Sequence, residues 1–475
     1  MTRTTGNRTV RRVGRAGAAV TVGSVLTNLL AYLVPMLGAR QLSAADLSVL
    51  ATVLALGAVA GVPGMGLQLA VAVHRARYGP TSTTRLTLLT TAVTTGVLVT
   101  VSPLIVAVLR LPVEIAALLT AMTVPVVLAG RWLGELQGEQ RFVRLAAGLV
   151  LLSVGRYAGV IAGLLLGAGL LRSLLAGAVL GYLVLPLLAR LAAATARPDP
   201  TVAPDQVVAG DPTVTSDQVV APDPMVAPDP MVAPGQVAAP DQVALREQDG
   251  PPAQEVARER AASPARAVLP AAVGSGVRRV VTASSATLAM LAISYADLIL
   301  ARQLLPPAES GAYAVGSVLT KGAIWAPAVV TVLALPRLAR GDRRTRAVAL
   351  ALVATFGGVL VTASALAGEL AIRLVGGAEY VHLAGQAPYF AAVGALYAVA
   401  FVLVNAEVAA GGRHPAGPLW AGIAAMLAGG WFVAPHTLPG VLGTALAVAA
   451  LTTAVLGLRA VRGRSAVREP SPGRP

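Results

Sequence analysis

The chain has 475 residues, of which 56% are hydrophobic, 12% charged and 4% aromatic, with a formal net charge of +15. A water-solvated globule needs about 25% charged residues to cover its surface, so this composition excludes one. The low aromatic share also argues against an outer-membrane barrel with its aromatic girdles. Cysteine is absent, which removes thiolate metal sites, cysteine nucleophiles and disulfides. The four histidines (His74, His382, His414, His436) are scattered, and there is no Walker phosphate loop, GxSxG or glycine-rich dinucleotide fingerprint. An ATP-driven machine or a hydrolase is not expected, and neither is a cofactor or metal.

Apolar runs of about 20 residues, enough to cross a bilayer core about 30 Å thick, recur along the chain. They predict an all-α polytopic membrane protein of about twelve spans: 17–39, 46–72, 86–109, 113–133, 145–168, 171–190, 279–303, 310–335, 346–367, 385–410, 416–434 and 438–459. The last two are separated only by Pro435 to Pro439. The basic start followed by an apolar run resembles a secretory signal, but the run is too long and eleven similar ones follow, so it reads as a retained first helix. Of the 37 Lys and Arg residues, thirty fall in the termini and in alternate loops, including eight between Arg190 and Arg279. Five (Arg40, Arg110, Arg172, Arg302, Arg373) fall on the other side, and Arg156 and Lys321 fall inside spans. The positive-inside rule puts the thirty, and both termini, in the cytoplasm. The basic charge is therefore an orientation signal rather than a nucleic-acid footprint, and no nucleic acid is expected as a partner.

The composition gives the chain five parts: a tail, 1–16; a first six-helix bundle, 17–190; a linker, 191–278; a second six-helix bundle, 279–460; and a tail, 461–475. Residues 199–246 of the linker are eight hexads from DPTVAP to DQVALR. Proline recurs at their second and sixth positions, where it would remove ladder donors, and no bulky apolar residue builds a core. Disorder is the expectation for this cytoplasmic segment.

The two halves echo each other. Ala39-Arg40-Gln41-Leu42 leaves the first span and Asp46 opens the second; Ala301-Arg302-Gln303-Leu304 leaves the seventh and Glu309 precedes the eighth. Pro63 and Pro327 follow at similar offsets. Six spans per half give both halves the same orientation, hence a parallel repeat about an axis along the membrane normal. Prolines 35, 63, 103, 125, 186 and 327 are candidate helix kinks, and Gly159, Gly163 and Gly167 read as one close helix contact.

Ionisable groups inside spans are few: Arg156, Asp297, Lys321 and Glu407. Each costs about 2.5–3.5 kcal/mol at the bilayer centre on insertion scales, so each should face the bundle interior or a wet cavity. Arg156 and Lys321 come from opposite halves and are candidates to meet at one anionic group. Asp297 reads as their counter-ion, a proton site or one member of a plain ion pair. Glu407 lies near a span end, where snorkelling is easy. Asn28, Gln68 and Asn405 are candidates for polar cavity contacts or interhelical hydrogen bonds.

Three stretches, TVGSVLTNLLAYLVPMLGARQLSAADLSVLATVLAL, YADLILARQLLPPAESGAYAVGSVLTKGAIWAPAVVTVLALPRLA and VGGAEYVHLAGQAPYFAAVGALYAVAFVLVNAEVAAGGRH, resemble O-antigen-type polysaccharide flippases of the multidrug/oligosaccharidyl-lipid/polysaccharide exporter superfamily. The resemblance covers both membrane halves and omits the linker, which is longer here than in typical members. It implies two bundles around a central cavity that work by alternating access in the cytoplasmic membrane. The implied cargo is an undecaprenyl-pyrophosphate-linked oligosaccharide or similar glycolipid. Partners then include membrane lipids and the glycosyltransferases or polymerase of the same pathway. Arg156 and Lys321, placed by depth, are the candidates to meet the pyrophosphate. The competing readings are a proton- or sodium-coupled drug or metabolite exporter of the same fold and a lipid-II-type flippase, usually of fourteen helices. A membrane glycan polymerase or ligase would need a large outer catalytic loop, and the longest outer loop here, around 368–384, is short. A scaffold holding glycosyltransferases through the linker leaves the buried cations unexplained.

Overall fold

A computed structural model describes residues 22–23, 25–79, 82–193, 269–325, 343–410, 412 and 414–465. The hexad segment, the N-terminal tail, residues 466–475 of the C-terminal tail and Pro327 lie outside the described residues, while 461–465, expected as tail, continue the last helix. Everything described is helix or short connection. Nine helical segments among these residues are long and apolar enough to cross a membrane. The chain is a multi-pass membrane protein.

In the first half, α1 covers 25–41, followed by α2 (Ala44–Ala60), α3 (Val62–Tyr78), α4 (Thr84–Leu109), α5 (Val113–Gly138), α6 (Phe142–Leu165) and α7 (Gly169–Ala193). In the second half are α8 (Leu269–Leu304), α9 (Pro307–Trp325), α10 (Arg343–Leu366), the short α11 (Gly368–Gly376), a 3-10 turn (Ala378–Gln386), α12 (Ala387–Ala409), α13 (Gly417–Phe432) and α14 (Leu438–Ser465). The described residues of each of the twelve expected spans fall mainly on helices; 17–21, 24 and 326–335 of the first and eighth lie outside the described residues. α2 and α3 form one span, interrupted at Gly61 just before Pro63. Pro103, Pro125 and Pro186 lie inside α4, α5 and α7.

Counting α2–α3 as one span and the α11–α12 region as another, the packing repeats between the halves. In the first half, span two packs on span four, three on four, four on six and five on six; the same pairs recur in the second half as eight on ten, nine on ten, ten on twelve and eleven on twelve. Span one also meets span five, where Ser153 Oγ donates to Thr27 Oγ1 at 3.0 Å, and span seven correspondingly packs on span eleven. This is the parallel repeat expected from the two Ala-Arg-Gln-Leu segments.

The outer helices present carbon to the surroundings, as lipid requires. On α4, Leu88, Val93, Val97 and Leu104 are 55–64% exposed. Small residues bring the inner helices together. A methyl added at Gly130, Gly134 or Gly138 of α5 would lie 2.4–2.6 Å from backbone oxygens of α3. Gly159 and Gly163 of α6 lie against the backbone of α7 in a similar way, and Gly155 against the Val184 side chain. Gly167, expected to extend that contact, instead turns the chain between α6 and α7 with φ +63° and faces open space. Its role is backbone conformation.

Two further expectations change. The segment around 368–384, expected as an outer loop, is not a loop. It forms α11 and the 3-10 turn, with Ile372 and Val375 buried and Leu370 and Leu374 over half exposed. A helix this short gives no apolar run long enough to read as a span. The eighth helix begins at Leu269, ten residues before the expected span.

Candidate functional site

The candidate site lies between the halves and is built around Tyr295 of α8. Lys321 of α9 places its ammonium 3.9 Å from the centre of the Tyr295 ring, a cation–π contact strengthened by the loss of water. Lys321 is 8% exposed, and its Nζ makes no hydrogen bond to the described protein. Asp297, one turn or less from Tyr295 on α8, is 1% exposed. Its Oδ2 accepts from the Tyr313 hydroxyl of α9 at 3.0 Å, while Oδ1 has no protein partner. Lys321 and Asp297 interact electrostatically without forming a contact ion pair. Tyr397 of α12 also lies within electrostatic range of Asp297, and its hydroxyl is unpaired.

The first half supplies the opposite wall. Tyr32 of α1 donates its hydroxyl hydrogen to the backbone oxygen of Lys321 at 2.8 Å, joining the halves. Arg156 and Tyr157 of α6 both lie within electrostatic range of Tyr295. The Arg156 guanidinium sits 5.3 Å from the centre of the Tyr157 ring and close to Gly57 of α2. It lines two small crevices of about 10 Å³ each, room for about one water apiece, among Leu119, Met122, Val126 and Gly181. A methyl on Gly57 would stand 3.2 Å from Arg156 Nη2, the far end of a flexible side chain, so a larger residue there would press on the guanidinium.

Arg156, Asp297 and Lys321 are therefore gathered at one place, around an aromatic centre. Asp297 faces Lys321 and Tyr313 within its own half; Arg156 has its own crevice in the other. The tyrosines were not singled out as candidates from the sequence. Five of the nine in the chain (Tyr32, Tyr157, Tyr295, Tyr313, Tyr397) cluster here, and the pairs Arg156-Tyr157 and Tyr295-x-Asp297 were the available signal.

Of the remaining candidates, Asn28 is exposed on α1, one turn from Tyr32, and Asn405 is half-buried on α12, two turns from Tyr397. Gln68 Nε2 donates to Gln137 Oε1 at 2.8 Å, an interhelical bond between α3 and α5. Glu407 is half-buried, packs against Gly412 and interacts with Arg459 of α14. No group of three or more acidic or histidine side chains that could hold a metal occurs among the described residues.

No protein-family model and no curated protein matches the chain. Several solved structures share its fold across nearly its whole length. An inward-facing multidrug resistance MATE transporter of the MOP superfamily is 13% identical at a TM-score of 0.53, covering 91% of this chain and 94% of that one. The lipid II flippase MurJ in an inward closed conformation is 10% identical at a TM-score of 0.58, covering 93% and 87%. A MOP superfamily transporter from Pyrococcus furiosus, described as having a binding pocket of reversed polarity that suggests a different function, is 14% identical at 0.50, covering 97% of both chains. The chain has the MATE-like fold.

Proposed function

We propose that the chain is a flippase that carries a polyprenyl-pyrophosphate-linked oligosaccharide, or a related glycolipid, across the cytoplasmic membrane by alternating access between its two halves. The observation that carries this reading is the pair of cations at the centre. Arg156 and Lys321 approach Tyr295 from opposite halves, and the Lys321 ammonium has no hydrogen-bonded acceptor in the protein. A buried donor left without an acceptor costs about 1–3 kcal/mol, more when charged. An incoming diphosphate recovers that cost. A guanidinium binds it bidentately, and an ammonium acts as a point charge. The transport and flippase structures that share the fold support the same class of activity, and the arginine asymmetry orients the termini and the 191–278 segment toward the cytoplasm.

A drug exporter of the same fold, taking cationic compounds, is the second reading. The central charges weigh against it: two cations and one carboxylate leave the site net positive, which favours an anionic cargo. The test is ligand-induced stabilisation of the purified protein in detergent. Undecaprenyl pyrophosphate should raise the unfolding temperature of the native protein and of Asn28→Ala, and have little effect on Arg156→Ala. Stabilisation by lipophilic cations and none by the pyrophosphate would replace this reading with the exporter.

A further inference from the structure

The Ala-Arg-Gln-Leu repeat does more than mark the two halves. Hydrogen bonds between the halves cluster at the arginine-poor end. Arg40, at the end of the first span, donates from Nη2 to the Leu374 oxygen at 2.9 Å, in the last turn of α11. Arg302, at the end of the seventh span, donates from Nε to the Leu109 oxygen and from Nη2 to the Arg110 oxygen, each at 3.3 Å. Its Nη1 also donates to Ser48 Oγ at 3.1 Å. Gln303 adds a bond from Nε2 to the Val108 oxygen. The two contacts are reciprocal. The motif ending the first span of one half grips the structure that closes the third span of the other, and the reverse.

The acceptors suit the task. The last carbonyls of a helix have no intrahelical partner and carry the negative end of its dipole, which favours a cation. At α4 the end is further opened by Arg110, which adopts φ 49° and ψ 45°, so that the backbone N–H groups of Arg110 and Leu111 both turn back to the Val106 oxygen. Three consecutive carbonyls, 108–110, are left to Arg302 and Gln303. Beside them the helix starts of the two halves touch directly: the Ser48 and Ser310 hydroxyls are 2.5 Å apart, and a methyl on Gly311 would lie 2.3 Å from the Ala44 oxygen.

We infer that Arg40 and Arg302 are paired latches that hold this mouth of the central cleft shut, and that both must release their carbonyls for the mouth to open. The inference rests on the transport reading above for its purpose, but not for its geometry. A side chain bonded to a carbonyl in the other half is a contact that separates without unfolding either bundle, because the carbonyls and the guanidinium can each be taken over by water. The two latches are unequal. Arg302 is half-buried and holds three acceptors, whereas Arg40 is exposed and holds one.

The test needs no cargo. In this cysteine-free chain, spin labels at Val113→Cys and Ala308→Cys, both exposed, report the separation of the halves at this mouth. The otherwise native protein should give one short, narrow distance. Arg302→Gln should add a longer population, Arg40→Gln a smaller one, and the double variant should be mostly long. Arg302→Lys, which keeps the charge and loses the fork, should fall between native and Arg302→Gln. Gly311→Ala, which wedges the same seam without touching either arginine, should also lengthen the distance. An unchanged distribution in the double variant, with Gly311→Ala shifted, would overturn the latch assignment. A shift in the double variant sustains it even if the native protein fails to flip a glycolipid, since that failure bears on the proposed function alone.

Discussion

Lys321 and Asp297 interact electrostatically without a hydrogen bond between them; Lys321 stands over the Tyr295 ring, and Asp297 accepts from Tyr313. Taking away one charge of a buried pair leaves the other uncompensated, at a cost of about 3–5 kcal/mol, whereas replacing both is often neutral. Lys321→Met is therefore expected to lower the unfolding temperature in detergent, and Lys321→Met with Asp297→Asn to recover most of the loss. A double variant as unstable as the single one would contradict the pairing. Flipping should stay impaired in both, because the cargo anion has lost its cation either way. At Arg156 the expectation differs. The side chain is half-buried beside a small crevice, so Arg156→Ala should cost transport far more than stability, and Arg156→Lys should be intermediate. These three residues were legible in the sequence because a charge inside a span is expensive and must be used or paired. The tyrosines were not: a tyrosine in an apolar run is indistinguishable from ordinary packing until its neighbours in space are known.

The inner helices are held together by backbone approaching backbone. A methyl at Gly159 of α6 would sit 2.4 Å from the Ala176 oxygen of α7, and one at Gly134 of α5 2.5 Å from the Gln68 oxygen of α3. Neither obstacle is a flexible side chain, so Gly159→Val and Gly134→Val should each destabilise by at least the about 1–3 kcal/mol typical of overpacking. Gly66→Ala in α3, with nothing within 4 Å, should be neutral or stabilising by about 0.5–1 kcal/mol through lost unfolded-state freedom. Thermal unfolding of the three variants side by side checks this, and a loss at Gly66 equal to that at Gly159 would contradict it. The four-residue glycine spacing on α6 was readable, but its register was off by one turn: the contact uses Gly155, Gly159 and Gly163, and Gly167 belongs to the turn. Spacing reports a shared face and not where that face ends. The same spacing at Gly130, Gly134 and Gly138 carried an equal signal and was not singled out.

Across the whole molecule, the two-half plan came through from sequence because lipid makes span length and charge placement strong signals. The repeat motif gave the symmetry, and the packing of corresponding spans bears it out. What did not come through is the arrangement around the arginine-poor end. α11 is nine residues long, too short to stand out, and the bonds of Arg40 and Arg302 join residues hundreds of positions apart. The sequence of the hexads at 199–246 lacks the bulky apolar residues that build a core, and loop-closure cost changes slowly with length. Their deletion should leave membrane insertion and flipping near the native level; lost flipping with normal insertion would assign the segment a partner or a gating role. For orientation, a cysteine at residue 225 should be shielded from an impermeant thiol reagent in intact cells, and outside labelling would reverse the topology.

The central claim is that this fold moves a pyrophosphate-linked glycolipid through a site made by Arg156 and Lys321. It is tested most directly by reconstituting the purified protein in vesicles with a fluorescent polyprenyl-pyrophosphate oligosaccharide and following its exposure to a quencher that cannot cross the membrane. The account predicts that native protein exposes the inner-leaflet lipid within the assay, that Arg156→Ala and Lys321→Ala reduce the rate at least tenfold, and that Asn28→Ala does not. Flipping by Arg156→Ala and Lys321→Ala at the native rate would contradict it.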